Sequence, residues 1–331
     1  MESRNRLGDN SPETLRAAQN LVFDLLNLDR AADAEAVQRV VTEGWRKTSG
    51  ETSADFLASE SLLAIIVGDQ DRLAEAEVIQ RHVWETLRSS RGPTSVPTLS
   101  AAERLTDLLA KLGRFSEAAD LQSQVFAARR ASLGVEDPAT LSAEFSLGFY
   151  LDKMGERSQA LPLLRHVWTT RKRVLGAEHE DTLFAQENLA ILLMHMERSA
   201  ESLTLLQDAL SVRQRNQGPN HHDTLKSADL LAAALYEINR LPEAEALARS
   251  TWEAVRKPMG ENTLYSLEAA GTLSQILTKQ NRLPEAESLI RQVWQERVRL
   301  VGGESIEALL AADQLADVLH QAGKDQDSID L

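Results

Sequence analysis

"NRLPEAEAL" (Asn239–Leu247) returns as "NRLPEAESL" (Asn281–Leu289), one letter changed and 42 positions on. The same step organises the rest of the chain. One turn position recurs at Asp29, Asp71, Gly113, Gly155, Glu197, Asn239, Asn281 and Gly323. Gly, Asn and Asp tolerate the left-handed backbone that ends a helix, and Glu197 is the exception. A second turn recurs at Gly8, Gly50, Gly92, Gly134, Gly176, Gly218, Gly260 and Gly302, glycine in every unit. No insertion breaks the register, so a repeat architecture is indicated before any single motif is weighed.

Between the turns the apolar period is helical. Leu21, Leu63, Leu105, Leu147, Leu189, Leu231, Leu273 and Leu315 form one column. Four residues later stand Leu25, Val67, Leu109, Leu151, Leu193, Leu235, Leu277 and Leu319, which marks the buried stripe of a first helix. A second helix carries small residues at Ala34, Ala76, Ala118, Ala160, Ser202, Ala244 and Ala286, where two helices can approach closely. Trp84, Phe126, Trp168, Leu210, Trp252 and Trp294 follow on that helix at repeat spacing and read as packing. Ser11, Ser53, Ser95, Asp137, Thr263 and Ser305 are good N-caps for the first helices, and His179 and His221 fill the same column. Pro12 and Pro138 start first helices, and Pro242 and Pro284 start second ones as N1 residues, where a missing N–H costs nothing. Each unit is then a helical hairpin that buries its stripe only against its neighbours. The expected fold is all-α, a right-handed solenoid of antiparallel helix pairs. Residues 1–331 read as one array of about eight 42-residue units, with partial units at both ends.

Several stretches resemble a known family. "RVLGAEHEDTL" (Arg173–Leu183), "NLAILL" (Asn188–Leu193) and "RLPEAE" (Arg240–Glu245, Arg282–Glu287) are similar to the tetratricopeptide repeats of kinesin light chains. The chain departs from that pattern at Glu180 and His222, where the family has proline, and keeps the family asparagine at Asn20 and Asn188. The resemblance implies first helices that line the inner side of the array and bind a partner's peptide. Asn188 matches an asparagine that hydrogen-bonds a bound peptide backbone.

On that side the middle units offer Phe145, Phe149, Phe184, Ile191, Met194 and Tyr236, flanked by Lys111, Lys153 and Lys226. Together with Asn188 these are the expected peptide-binding groove, with aromatic side chains as anchors. Carboxylates interleave with them in the row Glu103, Glu187, Asp229 and Asp313, so a basic or mixed peptide suits the groove as well as an acidic one.

Composition narrows the classes. With 36 basic and 50 acidic side chains, the net charge of −14 opposes nucleic acid and anionic membranes. There is no cysteine, so neither disulfides nor thiolate metal sites arise. The start "MESRNRLGDN" lacks the apolar core of a signal peptide, and a cytoplasmic home is expected. "HEDTL" (His179–Leu183) lacks the second histidine of a zinc motif, and His221 and His222 sit in a repeat boundary. "VGGES" (Val301–Ser305) lacks phosphate-loop spacing. The arginines at Arg30, Arg72, Arg114, Arg198, Arg240 and Arg282 recur just past a helix end, to cap carbonyls or pair with nearby Glu. No catalytic constellation stands out, and neither a metal nor a cofactor is implied. The expected function is a non-catalytic interaction scaffold or adaptor for a protein or peptide. The alternative is the sensor or regulatory arm of a larger NTPase-type signalling protein.

Overall fold

The structure is a computed structural model that describes residues 10–259, 263–324 and 326–327. Gly8 and Gly260 of the glycine column lie outside the described residues. Fifteen α-helices and no strands are present among those described. Two compact units divide the chain, residues 1–163 and 164–331.

The first unit holds α1 (Pro12–Asn27), α2 (Ala31–Ser49), α3 (Ala54–Asp69), α4 (Leu73–Arg91), α5 (Val96–Lys111), α6 (Phe115–Leu133) and α7 (Pro138–Lys153). The unit boundary falls within α8 (Arg157–Leu175), one residue after Pro162. The second unit holds α9 (Glu180–His195), α10 (Ser199–Gln217), α11 (His222–Glu237), α12 (Leu241–Met259), α13 (Leu264–Lys279), α14 (Leu283–Val301) and α15 (Ile306–Gln321). Every first helix has 16 residues and every second helix 19, which is what keeps the register. From α1 to α7, and again from α9 to α15, each helix packs on the next. In the second unit the first helices α9, α11, α13 and α15 also touch one another in succession.

The ends of the helices are set by local chemistry. At the end of a first helix the carbonyl of the residue four past the Leu column accepts the N–H of the residue five positions on, as in Arg198 to Leu193 at 2.8 Å and Arg240 to Leu235 at 2.9 Å. That bond needs a left-handed residue between them, and Asn239 (φ 61°) and Glu197 (φ 59°) supply it. The arginine then pairs through its side chain with the carboxylate three residues on, as Arg240 does with Glu243 at 2.6 Å. N-caps close the other ends. Ser53 accepts from the Phe56 N–H at 3.2 Å, and the Nδ1 atoms of His179 and His221 accept from the Asp181 and Asp223 N–H groups at 3.2 and 3.3 Å. The two histidines are therefore helix caps. Pro242 and Pro284 sit second in their helices, after Leu241 and Leu283, rather than first, still within the turn whose N–H groups have no helical partner.

The small-residue column is fully buried: Ala34, Ala76, Ala118, Ala160, Ser202, Ala244 and Ala286 are all 0 % exposed. The Leu column is buried from Leu63 to Leu315, but Leu21 is 47 % exposed. That corrects the uniform expectation. Helix α1 packs chiefly on α2, and its Leu15, Val22 and Leu25 are buried while Leu21 is left half exposed. Trp84, Trp168 and Trp252 are half-buried and carry cations on their faces, Arg256 lying 4.4 Å from the Trp252 ring centre.

Neighbouring units are also joined by ion quartets. Glu35, Arg39, Arg72 and Glu75 form one, with contacts of 2.5–2.7 Å. Glu245, Arg249, Arg282 and Glu285 repeat it in the second unit at 2.6–2.9 Å. Burial opposes ionisation of Glu245, yet donations from Arg249 and Arg282 hold its carboxyl below the usual range. The glutamate of the quartet is replaced by Ala119, Leu161 and Leu203 in the middle of the sequence.

Candidate functional site

The expected groove residues fall in both units. In the first, Phe149 is half-buried against the core, edge-on to Tyr150 at 5.9 Å, and the Lys153 ammonium lies 5.3 Å from its ring centre. Phe145 is half-buried one turn earlier on α7, and Lys111 is exposed at the end of α5, beside a cleft of about 150 Å³. Asp107 lines the same cleft. Burial raises its carboxyl, against a 3.0 Å hydrogen bond donated by the Tyr150 hydroxyl. A larger cleft, about 590 Å³, opens between α1 and α3 and includes Phe23, Ile65, Arg16 and Arg104.

In the second unit, four of the six expected residues meet. Phe184, Asn188 and Ile191 of α9 and Lys226 of α11 line one cleft of about 400 Å³. Phe184 is 49 % exposed, an aromatic ring presented to solvent. The Asn188 side-chain amide donates to the Phe184 carbonyl at 2.8 Å, which fixes its direction on the helix. Met194 is half-buried against the core of the unit instead. Tyr236 lines a separate cleft with Gln275 and Lys279, and the Lys279 ammonium sits 4.0 Å from its ring centre while donating to its carbonyl at 3.0 Å.

The polar floor of the α9–α11–α13 cleft is built by residues outside the expected set. Arg213, buried on α10, donates to Glu187 at 3.2 Å and to Glu180 at 2.8 Å. Ser227 also donates to Glu187. Burial raises the Glu187 carboxyl, and the Ser227 and Arg213 donors oppose that rise. On α11, Asp229 accepts from the Thr272 hydroxyl at 3.2 Å. Desolvation pushes its carboxyl up to about 6, and nearby Glu268 adds to the rise. Tyr265 of α13 stands edge-on to His222 at 4.8 Å, and burial beside Asp229 raises its phenol. Asp229 Oδ1 and the Tyr265 hydroxyl are both closed off from solvent and have no hydrogen-bond partner. Tyr265 had a signature in the repeat. The equivalent residues are Glu13, Asp55, Pro97, Ala139, Asp181, Asp223 and Glu307, so an aromatic ring is foreign to that column.

These features define an all-α repeat protein of helix hairpins with a ligand-sized cleft on its first helices. The sequence pattern of the tetratricopeptide repeat matches residues 181–257 in one form and residues 98–139, 146–181 and 266–307 in another, together more than half of the chain. The chain belongs to the tetratricopeptide repeat family. No curated protein matches it. Among solved structures, it is similar to a Podosopora anserina protein described as a kinesin light chain with nearly identical TPR-like repeats, at 23% identity and a TM-score of 0.54, over 61% of this chain and 95% of that one. A tetratricopeptide repeat protein from Parabacteroides merdae matches with a TM-score of 0.66 at 14% identity, over 93% and 99% of the two chains. A Rap protein in complex with competence and sporulation factor matches with a TM-score of 0.52 at 12% identity, over 94% and 99%. These likenesses are of fold. Among the described residues, no helix is long and apolar enough to cross a membrane.

Proposed function

We propose that this chain is a non-catalytic interaction module, one array of about eight units, that binds a peptide segment of a protein partner along its first helices. The observation that carries the reading is the α9–α11–α13 cleft. It presents an exposed phenylalanine, Phe184, beside Ile191 and Leu230, with the Asn188 amide and charged groups at its edges. Apolar surface rimmed by polar groups is the usual form of a contact site, and aromatic rings are its usual anchors. The family's common use as a protein-interaction scaffold supports this, as does a Rap protein of like fold that holds a bound factor. A place in the cytoplasm, as part of a scaffold, adaptor or signalling protein, fits the same reading.

The test is a photo-crosslinking amino acid placed at Phe184 in the native cell, followed by mapping of the joined peptide. The expected result is adducts concentrated on one short segment of a partner and lost on Ile191→Asp. Adducts no more frequent or more focused than those from exposed Thr204 on α10 would overturn the reading.

A further inference from the structure

One position of the first helices is a carboxylate at Glu103, Glu187, Asp229 and Asp313, and 26 residues after that position four second helices carry an arginine, Arg129, Arg171, Arg213 and Arg297. Glu103 pairs with Arg129 at 2.5 Å, and Glu187 pairs with Arg213 at 3.2 Å. Where the carboxylate is absent, the arginine turns to a carbonyl ten residues ahead. Arg171, 26 residues after Phe145 in sequence, donates to the Asp181 carbonyl at 3.2 Å, and Arg297, 26 residues after Gly271, donates to the Glu307 carbonyl at 2.9 Å. Asp229 breaks this rule from the other side. Its arginine position is Val255, which is 0 % exposed. The carboxylate is therefore enclosed without the cation that serves its counterparts, and its Oδ1 has no donor.

We propose that the Asp229 cleft is a subsite for a lysine or arginine side chain of the bound peptide, whose charge fills the role that Arg129 and Arg213 fill beside Glu103 and Glu187. The inference rests on the peptide-binding reading and names what the peptide must carry. Charge complementarity favours this occupant. The cleft is bordered by Glu187, Asp223, Asp229 and Glu268. Arg213 is committed to Glu187, Glu180 and, at 3.6 Å, Asp223, and this leaves Lys226 as the cation at the rim with no ion-pair partner among the described residues. The aliphatic stem of the incoming side chain matches Phe184, Ile191 and Leu230. The unpartnered Tyr265 hydroxyl offers a second oxygen beside Asp229. A buried carboxylate that gains a cation and its hydrogen bonds ionises more readily, so binding and ionisation of Asp229 favour each other.

The groups that bear on this titration are Glu187 on α9, Arg213 on α10, His222, Asp223 and Lys226 on α11, and Tyr265 and Glu268 on α13. Of these, Lys226 is the internal rival, since it stands three residues from Asp229 on the same helix and could neutralise it without a ligand.

The experiment uses the full chain and a positional set of acetylated, amidated dodecapeptides. Each position in turn is fixed as Arg, Gln or Glu, with binding read by fluorescence anisotropy between pH 5 and 8. The expected result is an Arg preference at one position, with affinity rising from pH 5 to 7. Asp229→Asn should weaken the Arg peptides by about tenfold or more and leave the Gln peptides unchanged. Tyr265→Phe, which keeps the ring against His222, should weaken them less. Two results overturn the subsite while leaving the groove intact. One is peptide binding, lost on Ile191→Asp, that shows no Arg preference. The other is an Arg preference that persists in Asp229→Asn. If Lys226→Met creates the preference that wild type lacks, Lys226 is the natural partner and the proposal also falls. Binding of no peptide in the set removes the groove reading itself.

Discussion

At the scale of the residue, Asp229 carries a cost that its neighbours avoid. Its carboxyl is held near 6 in the folded chain against 3.8 when unperturbed. A carboxyl with a raised folded value favours folding below its unfolded pKa, and that advantage drains away as pH climbs from 3.8 through about 6. Asp229→Asn removes the charge and keeps an acceptor for Thr272. It should therefore stabilise the chain by up to about 3 kcal/mol above pH 7 and by almost nothing near pH 4, as read by urea unfolding across that range. An unchanged difference between the two variants at every pH would contradict the enclosure of this carboxylate. The carboxylate row itself was legible in the sequence, Asp229 included. Its isolation was not, because it depends on Val255, a residue on another helix that looks like any other apolar position until the 26-residue pairing is seen. The exposure of Phe184 and the engagement of Phe149 by Lys153 were likewise beyond reach. Both rings occur at helical spacing, and only packing decides which one faces water.

At the scale of the element, the helices were readable almost to their ends. Caps, left-handed turn residues and the apolar period each act locally, so a single sequence shows them. The column of small residues reads as a buried seam, and all of its members are sealed. Leu189, 1 % exposed on α9, is the clearest test of what that sealing is worth. Truncation to alanine should cost about 2–5 kcal/mol, seen as a lower midpoint in denaturant at unchanged slope. The Leu column failed at Leu21, where an identical letter is 47 % exposed. Periodicity reports which face of a helix is apolar, but whether something covers that face is a property of the neighbours. The proline positions missed by one residue for a related reason. The left-handed Asn and the arginine after it fix the turn, and Leu241 and Leu283 already take up the helix before the proline.

At the scale of the whole molecule, the contacts between successive helices and hairpins recur at constant offsets. The first-helix carboxylate finds its arginine 26 residues on, and quartet arginines find their glutamates 36 or 37 residues away. Nothing in those relations refers to absolute position. Splicing out residues 240–281, so that Asn239 is followed by Arg282, restores the same nine-letter turn and the same backbone bond to Leu235. The shortened chain should remain helical in proportion to its length and unfold cooperatively by circular dichroism. An excision one residue shorter should not, because every downstream partner is then rotated about its helix. Length in this protein is thus quantised. The missing cassette also takes Val255, Tyr265 and Thr272 with it, so the spliced chain would keep its scaffold and lose the enclosure of Asp229. Recombination between the two near-identical copies would delete the proposed subsite without unsettling the rest.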